Sequence, residues 1–415
     1  MVSSGKGPLA GLRVVDLSEF VAVPVAAKML ADWGAEVVKV ERFEGDVWRW
    51  YGPSFNVPCQ DDENPLFDME NLNKKLVALN LKTDKGRSIM QRLLSEADIF
   101  MTNYRIDALK RMGLSYEDLS VLYPKLIFVH LTGFGEKGPD AGRPGFDIVA
   151  YWARSGAMLD LVPAEHGVPI SAPFGFGDHI TGEALVGGIL AALYQREKTG
   201  RGDKVFMSLF GNAIFGAGCM IMSSQDKYGD PLPRYMTKPG NPVGHTYQCK
   251  DGEWILLSIL AYDRYWPIFC EKVLGRPDLL QDERFRTKFS AKEYSAELYK
   301  ILHNEIKKKS SDEWASLLRA ADIAFEKVAH FKDVTKDEQA LANEYIFEHT
   351  FKNGNKAMLP RTPVQFGSYK IPNPPPRAGT RVGEHTADVL LKMGYTDFEI
   401  EDLEKQGIIK NPSSK

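Results

Sequence analysis

The sequence predicts an α/β protein whose larger domain wraps helices around a parallel sheet. Two observations predict this class: short apolar, β-branched runs recur over residues 12–209, and helical patterns separate them. Strands that alternate with helices at this spacing form parallel sheets with right-handed crossovers. A third observation is the cluster of glycines and prolines after residue 226, followed by charged helices, which predicts a second, smaller domain.

Six strands are expected in the larger domain. The first run, LRVVDL at residues 12–17, precedes a helix that Pro24 opens and Gly34 ends, as these residue types favour. Residues 43–73 are polar and contain several prolines, so we interpret them as a long excursion over the surface. The other five strands are predicted at residues 36–41, 76–81, 98–102, 126–131 and 204–209.

Helical patterns fill the intervals between the strands. An amphipathic stripe follows Thr83, and Ser115 has the spacing of a helix cap. An apolar helix is predicted over about residues 179–197. Farther along, Ser310 opens a capping box in front of another helix.

The second half of the chain predicts a small α+β domain and a return to the large one. Short strands are expected near Tyr247 and at residues 254–259, with charged helices after them. Residues 372–376 form a proline-rich linker, and residues 383–403 form two helices joined at Gly394. We therefore predict a Rossmann-like large domain with a smaller α+β domain inserted in it, with boundaries at 1–225 (large), 226–340 (small) and 341–415 (large).

Composition excludes several classes of function. The chain has 52 Lys+Arg and 55 Asp+Glu, a net charge of -3, which does not favour binding to nucleic acid or an anionic membrane. No apolar tract approaches the ~18 residues of a membrane span, and residues 1–7 lack the apolar core of a signal peptide. The four cysteines are scattered without a C-x-x-C pair, which argues against zinc and disulfides. We expect a soluble, cytoplasmic protein with reduced thiols that binds neither nucleic acid nor membrane.

Three familiar site patterns are incomplete or missing. Gly133, Gly135 and Gly138 have the G-x-G-x-x-G spacing of a dinucleotide loop. The prolines and glycine that follow prevent a helix from starting there, although a bound pyrophosphate needs a helix N-terminus. The eight histidines show no metal-ligand spacing, and no G-x-S-x-G serine motif is present. We therefore expect no NAD, no metal and no serine nucleophile.

One glycine-rich turn contains a candidate nucleophile. In GFGDH at residues 175–179, two glycines permit a tight turn and close approach of a ligand, and Asp178 then opens an apolar helix. Two interpretations remain open and are compatible. Asp178 is an N-cap that binds free N–H groups, or it is an ionised carboxylate, exposed at the positive end of the helix dipole and available as a nucleophile.

Several segments, in the same order, resemble the family III coenzyme A transferases over nearly the whole chain. The segments DMENLNKK, GFGEKGPD and PGFD are most similar to the clostridial 2-hydroxyacyl-CoA transferases of that family. The wider resemblance is carried by residues 8–42, by ENLNKKLVALNLKTDKG at 70–86, LTGFGEKGP at 131–139, GFGDHITG at 175–182 and KTGRGDKV at 198–205, and by GEHT and GY near the C-terminus.

The resemblance implies specific site residues. Asp178 matches the nucleophilic aspartate of the family. Arginines at the matching positions can hold phosphates through charge-assisted bonds of ~1.5–3 kcal/mol each, and Tyr104 can stack on adenine. The positions that contact coenzyme A in the family fall on Val21, Ala22, Arg42, Leu79, Lys82, Asn103, Tyr104, Arg105, Arg111, Gly145, Phe146 and Asp147.

The resemblance also implies a reaction and an assembly. The reaction moves CoA from an acyl-CoA donor to a carboxylic acid acceptor through anhydride and thioester intermediates on Asp178, and the expected acceptor is a 2-hydroxy acid of amino-acid fermentation. CoA is then a substrate, and no cofactor is expected. The assembly is an interlocked homodimer in which each ring-shaped subunit is threaded by the other.

The sequence leaves several substrates and reactions open. Formyl-CoA enzymes carry a glycine run in a loop over the acyl intermediate, whereas residues 238–245 keep only Gly240 and Gly244, which disfavours an oxalate-like substrate. A carnitine substrate, a succinyl donor, and an acyl-CoA racemase or epimerase that uses a His/Asp acid–base pair are also compatible with the resemblance. A CoA-binding scaffold without catalysis is the non-enzymatic hypothesis.

Overall fold

The computed structural model describes residues 7–228, 232–372 and 380–412. The chain divides into two compact units: unit 1 spans Met1–Ser155, Ala172–Ala217 and Glu338–Lys415, and unit 2 spans Gly156–Ser171 and Gly218–Asp337. Sequence patterning did not single out the first segment of unit 2. Of the predicted proline-rich linker only Pro372 lies inside the described residues, and residues 1–6 lie outside them as well.

The described residues contain the following strands and helices in chain order. The strands are β1 (Arg13–Leu17), β2 (Glu36–Glu41), β3 (Lys75–Leu79), β4 (Ile99–Thr102), β5 (Ile127–Thr132), β6 (Lys204–Ser208), β7 (Thr246–Gln248), β8 (Trp254–Leu257), β9 (Phe325–Lys327), β10 (Ile346–Thr350), β11 (Lys356–Pro360) and β12 (Ile409–Lys410). The helices are α1 (Ala22–Asp32), α2 (Pro65–Asn71), α3 (Asp84–Ser95), α4 (Ile106–Met112), α5 (Tyr116–Leu122), α6 (Ala157–Asp160), α7 (Phe176–Thr199), α8 (Leu209–Gly216), α9 (Gly218–Ser223), α10 (Tyr262–Ile268), α11 (Lys288–Glu293), α12 (Ser295–Ile306), α13 (Ser311–Ala320), α14 (Phe331–Val334), α15 (Glu338–Ala342), α16 (Thr386–Lys392) and α17 (Asp397–Lys405).

Unit 1 is built on a seven-stranded sheet with the order β12-β3-β2-β1-β4-β5-β6. Strands β1 to β6 pair in parallel, as predicted, and β12 adds an antiparallel strand beside β3. The strand order reverses direction between β1 and β4. In such sheets the crevice outside the carboxyl ends of the two strands at the reversal is where ligands bind.

Helices cover both faces of this sheet, which is why its strands are apolar along their whole length. Val14 of β1 packs with α1 and α7 on one face, while the next residue, Val15, packs with α3, α16 and α17 on the other. Alternate residues of a strand point to opposite faces, so a run such as RVVDL supplies both cores. The sheet edge with the strand ends is thereby held between two packed layers.

Two boundary predictions were wrong and one interpretation was wrong in part, and all three affect the site. Helix α1 begins at Ala22, two residues before Pro24. Helix α7 begins at Phe176, so Asp178 lies inside its first turn. Residues 53–63 are largely exposed, as expected of a surface excursion, but the rest of the segment 43–73 is not: short 3₁₀-helices and α2 bury the side chains of Trp48 and Phe67.

Unit 2 has its own core around a three-stranded antiparallel sheet, β7-β8-β9. Tyr247 and Ile255 of this sheet pack with Trp266 of α10 and Trp314 of α13. The predicted capping box is present: Ser310 accepts the N–H of Glu313, whose carboxylate accepts the N–H of Ser310. In the described parts of both units, no helix is long and apolar enough to cross a membrane.

Candidate active site

The loops after β1, β2 and β4 are joined at the point where the strand order reverses. Asn103 follows β4, and its amide Nδ2 donates to the carbonyl of Glu19 (2.7 Å) while its Oδ1 accepts the N–H of Glu19 (3.1 Å). The Glu19 carboxylate in turn pairs with Arg42, which follows β2. These contacts lie outside the carboxyl ends of β1 and β4, the position at which sheets of this kind bind ligands.

Asp178 lies in the first turn of α7 and is almost enclosed. Gly175 occupies the N-cap position in the left-handed region (φ +76°) and offers no side-chain cap, so the N-cap interpretation of Asp178 was wrong. Only 9% of Asp178 is exposed, which also contradicts the expectation of an exposed carboxylate. None of the described residues forms a hydrogen bond with this carboxylate. A buried carboxyl group without a structural partner is a candidate for chemistry.

A second carboxyl group, Asp147, lies against the same turn. It opens a short π-helix after β5, and its carboxylate faces the backbone N–H groups of Gly175 and Gly177. A Cβ atom built on Gly177 would lie 2.3 Å from Asp147 Oδ1 and 2.4 Å from Tyr151 Cγ. Only glycine therefore permits this approach. The resemblance grouped Asp147 with the CoA contacts, but the structure brings it beside Asp178.

The two carboxyl groups hold a proton at neutral pH. Burial, together with the negative charge of Asp147, raises the pKa of Asp178 to about 8. Burial also raises the pKa of Asp147 to about 6, although the N–H groups of Gly177 and Gly175 lower it in part. Neither oxygen of Asp147 completes a hydrogen bond of standard geometry. The expectation that Asp178 is ionised in the resting protein was therefore wrong.

His179 provides a positive charge next to this pair. Its Nδ1 donates to the carbonyl of Gly175 (2.8 Å), and its Nε2 lies 3.2 Å from Glu70 Oε1. Burial lowers the pKa of His179, but the charge of Glu70 and the hydrogen bonds outweigh burial and raise it to about 9. The imidazolium consequently favours ionisation of Asp178. His179 and Glu70 were not among the predicted site residues, although both lie in motifs that carry the resemblance.

Two buried lysines fix the end of β1 below the crevice. The Nζ of Lys39 donates to the carbonyl of Ser18 (2.7 Å) and lies 2.9 Å from Asp46 Oδ2. The Nζ of Lys74 lies 2.9 Å from Asp16 Oδ2 and donates to a carbonyl in the first turn of α1 (2.8 Å). All five side chains are buried. Buried charges of this kind are held by their partners, so β1, α1 and the loop between them have one arrangement.

Val21 and Ala22 lie where α1 meets α7. A Cβ atom on Gly175 would lie 3.9 Å from Val21 Cγ1, so Val21 borders the turn formed by residues 175–178. The carbonyl oxygen of Ala22 faces Gly182 of α7, where a Cβ atom would lie 2.7 Å from it. Both side chains are buried, which leaves backbone atoms as their means of contacting a ligand.

The predicted phosphate-binding residues differ in how available they are. Arg42 is paired with Glu19, so its charge is already neutralised. Arg105 precedes α4 and Arg111 lies in its last turn; both are exposed, and neither pairs with a carboxylate of the described residues. Tyr104 is half-buried, and burial beside Glu19 raises its pKa. Two of the three arginines are therefore free to meet an anion.

The residues at the end of β3 do not share one environment. Leu79 is buried in the core beneath the helices and pairs with Ile409 of β12, which leaves its backbone atoms as its means of contacting a ligand. Lys82 is exposed in the turn that follows. Of the two, only Lys82 presents a side chain to solvent.

The glycines of the G-x-G-x-x-G segment allow two loops to pack closely and form turns. A Cβ atom on Gly133 would lie 2.5 Å from the Cα of Gly145, so the two glycines permit close packing of their loops. Gly135 and Gly138 have positive φ values of 105° and 88°, which glycine adopts readily. No helix begins between Gly133 and Gly145. Phe146, the next predicted contact, is 50% exposed.

Metal and disulfide chemistry find no support in the described ranges. No group of three or more His, Cys, Asp or Glu side chains there is arranged to hold a metal ion. Cys59, Cys219, Cys249 and Cys270 are free thiols.

Comparison with known proteins gives consistent matches over nearly the full length. The model of "CoA-transferase family III" matches residues 9–386. The (R)-2-hydroxy-4-methylpentanoate CoA-transferase of Clostridioides difficile is 43% identical over 97% of this chain and 99% of its own length. The cinnamoyl-CoA:phenyllactate CoA-transferase of Clostridium sporogenes is 41% identical over 95% of this chain and 96% of its own. A CAIB/BAIF family protein from Brucella suis has a crystal structure that superposes with a TM-score of 0.80 at 28% identity, covering 94% of this chain and 100% of that one.

Proposed function

The chain belongs to CoA-transferase family III, and on this premise we propose that it moves CoA from an acyl-CoA donor to a 2-hydroxy acid through intermediates on Asp178. The acceptor class is supported by the two clostridial relatives, whose names specify 2-hydroxy acids. One observation carries the mechanism. A carboxyl group without a hydrogen-bond partner among the described residues is buried beside an imidazolium and a second carboxyl group at the ligand crevice of the fold.

A carboxylate nucleophile divides a difficult exchange into four balanced steps. Ionised Asp178 attacks the thioester carbonyl, the C–S bond breaks, and an acyl-aspartyl anhydride forms with release of CoA thiolate. The thiolate then attacks the aspartyl carbonyl, which releases the donor acid and leaves an aspartyl-CoA thioester. The acceptor carboxylate displaces the thiolate to form a second anhydride. Finally the thiolate attacks the acceptor carbonyl, which gives the new acyl-CoA and restores the Asp178 carboxylate.

The neighbouring groups suit these steps. The imidazolium of His179 stabilises the ionised nucleophile, whereas the like charge of Asp147 raises its basicity and reactivity. Each tetrahedral species develops an oxyanion, and N–H groups of the Gly175 turn are suitable donors for it. Because Asp178 is 9% exposed, its anhydrides are formed away from bulk water, which would hydrolyse them.

The proposal includes an assembly and its substrates. CoA acts as a substrate with no further cofactor, in the cytoplasm, as four free cysteines favour. We propose an interlocked homodimer in which unit 2 is the inserted domain. Exposed apolar side chains of unit 1 support a partner of this kind, because large exposed apolar patches mark interaction surfaces; they are Ile180, Leu190, Tyr194, Phe206, Ile214 and Phe215.

The proposal is tested by removing and trapping the nucleophile. Asp178→Asn should lower kcat by at least three orders of magnitude while CoA binding changes little, because the amide keeps the shape and loses the nucleophile. Hydroxylamine added with acyl-CoA should convert Asp178 into a hydroxamate that peptide mass spectrometry detects. Glu183→Gln, an exposed change one turn later on α7, is the matched control and should retain activity.

Two outcomes would contradict the proposal. Near-normal turnover by Asp178→Asn would exclude the covalent mechanism. Epimerised acyl-CoA without exchange between labelled free acid and acyl-CoA would indicate a racemase, since only transfer exchanges the acid. A panel of acyl-CoA donors against free 2-hydroxy acids, read by mass spectrometry of the products, identifies the donor and the acceptor.

A further inference from the structure

We propose that an aromatic wall beside Asp178 binds the side chain of the acyl group, so that the enzyme selects 2-hydroxyacyl groups with a bulky apolar side chain. This inference rests on the proposed function and specifies its substrate class. The wall is defined as six rings that contact one another in unit 1: Phe20, Trp48, Tyr51, Phe55, Phe146 and Phe174.

The six rings form one continuous surface. Phe174 stacks on Trp48 with the ring centroids 5.7 Å apart and the planes 8° apart, and it meets Phe55 edge-on at 5.5 Å. Tyr51 links Trp48 (5.4 Å) to Phe20 (5.7 Å). These distances are those of favourable aromatic pairs. The segment interpreted from sequence as a surface excursion thus supplies half of the wall.

Three of the six rings are connected to the turn formed by residues 175–178. Phe174 directly precedes Gly175, the residue that starts the turn. Phe146 directly precedes Asp147, whose carboxylate lies against Gly177 of that turn. Phe20 contacts Phe146 at 5.3 Å and directly precedes a residue that borders Gly175. Phe174, Phe146 and Phe20 therefore each lie next in the chain to a residue that forms or borders this turn, and we place the acyl group of an acylated Asp178 against them.

The wall is apolar and not filled by unit 1. Phe146, Phe174 and Phe55 are exposed, by 50%, 39% and 37% respectively. Among the described residues no arginine or lysine lies over any of the six rings, although other aromatic rings of the chain have such cations. A second carboxylate, as in oxalate, would meet no cation over these rings, whereas an alkyl or phenyl side chain would bury apolar surface there.

The position of the wall is fixed by its backbone. Phe20 has φ +65°, a left-handed conformation that is strained for a non-glycine residue. The N–H of Phe20 donates to Asp46 Oδ1 (3.2 Å), and Asp46 is itself held by Lys39. Strained residues that persist in this way cluster at functional sites. The buried Lys39–Asp46 pair thus holds the backbone from which the Phe20 ring projects.

A selectivity ratio tests the inference. Three donors that share the 2-hydroxyacyl head group are compared with one acceptor: lactoyl-CoA, 2-hydroxy-4-methylpentanoyl-CoA and phenyllactoyl-CoA. Wild type should show kcat/KM at least tenfold higher for either bulky donor than for lactoyl-CoA, since one methylene in an apolar pocket changes kcat/KM by ~10–200-fold. In Phe174→Ala and in Phe55→Ala this ratio should fall at least tenfold. Phe398→Ala, an exposed aromatic change on α17, should leave it unchanged.

The design separates failure of the wall from failure of the proposed function. The two kcat/KM values in each ratio are measured on the same protein sample. Partial misfolding of a variant lowers both values equally and leaves their ratio unchanged. A wild type that transfers CoA without preferring bulky donors, or an unchanged ratio in both Phe variants, would overturn the inference and leave the transferase intact. Absence of transfer with every donor and acceptor in the panel would instead refute the proposed function.

Discussion

The buried Asp178 carboxyl group is unfavourable for folding at the pH where the mechanism needs it ionised. Its pKa is about 8 in the folded protein, against 3.8 for the ordinary side chain, so the folded state binds this proton more tightly than the unfolded state. Between these two pH values the contribution of Asp178 to stability falls as pH rises, by up to ~1.4 kcal/mol per unit. Such a site persists because surrounding structure fixes it, as the Asp147 and His179 contacts do.

The same pKa values predict a bell-shaped pH profile for the reaction. For wild type, kcat/KM for acyl-CoA should rise as pH approaches about 8, where Asp178 loses its proton, and should fall above about 9, where His179 loses its charge. In Asp147→Asn the like charge is absent, so the acidic limb should move at least one pH unit lower. Steady-state rates from about pH 5.5 to 10 measure this.

The control for this pH profile is Glu183→Gln, which removes a charge from an exposed position of α7. Its acidic limb should coincide with that of wild type. An unshifted limb in Asp147→Asn would show that the two carboxyl groups do not titrate as a pair.

At the scale of elements, the sequence predicted those strands and helices whose apolar residues follow a regular pattern. Both boundaries of strand β2 were predicted correctly, because the apolar run EVVKVE is buried on both faces and ends abruptly on each side. Residues 43–73 were misinterpreted in part because 3₁₀-helices of four residues display no repeat, so Trp48 looked isolated although it packs beneath Phe174. The partnership of Glu70 with His179 joins distant segments, and local patterns carry no signal for such contacts. Asp178 was singled out by its glycine-rich turn and then matched through the resemblance to the family's nucleophilic aspartate, whereas its burial required the structure.

Substitution of the two arginines in and before helix α4 tests whether they bind the phosphates of CoA. Arg105→Ala and Arg111→Ala should each raise KM for acyl-CoA roughly tenfold or more while KM for the free acid stays constant, because a charge-assisted bond contributes ~1.5–3 kcal/mol. Arg42→Ala should have a smaller effect, since Glu19 already neutralises Arg42. Steady-state kinetics with each substrate varied in turn measure the difference.

A matched control for these arginines is Arg286→Ala, which removes an exposed, carboxylate-paired arginine of unit 2. Both KM values should be those of wild type. Equal changes in KM for acyl-CoA and for the acid in the α4 variants would mean that these arginines do not bind phosphate.

The junction of β1 with α1 should depend on its buried lysines. Lys39→Met leaves Asp46 and Asp16 buried with one cation fewer, and removing one partner of a buried pair costs ~3–5 kcal/mol. Urea unfolding followed by circular dichroism should show a lower midpoint. Lys356→Met removes one member of an exposed pair with Glu348 and should change stability by ~1 kcal/mol or less. Equal midpoints for the two variants would mean that the buried cluster does not hold this junction.

At the scale of the whole molecule, the strand order places the candidate site within one chain, whereas the exposed apolar surface indicates a partner. The strand order locates the crevice within unit 1, so one chain contains the nucleophile and its neighbours. The surface of unit 1, in contrast, includes Phe215 at 87% and Phe206 at 62% exposure. Residues 184–194 of helix α7 are all apolar or glycine, as the sequence predicted, and this part of the helix buries Leu185 and Ile189 while exposing Tyr194. A helix that is apolar on all sides is normally covered on all sides.

These apolar surfaces lead to a prediction about assembly. The chain passes between the two units four times, after Ser155, Ser171, Ala217 and Asp337, and the family resemblance implies that each subunit is a ring threaded by the other. If two such rings interlock, separation needs unfolding, so the dimer should persist on dilution to nanomolar concentration. Sedimentation velocity should show one dimeric species down to that concentration, and monomers should appear in urea only together with loss of helical circular dichroism. A folded monomer with native helical content at nanomolar concentration would exclude interlocking, because a dimer held by surface contacts alone dissociates by mass action without unfolding.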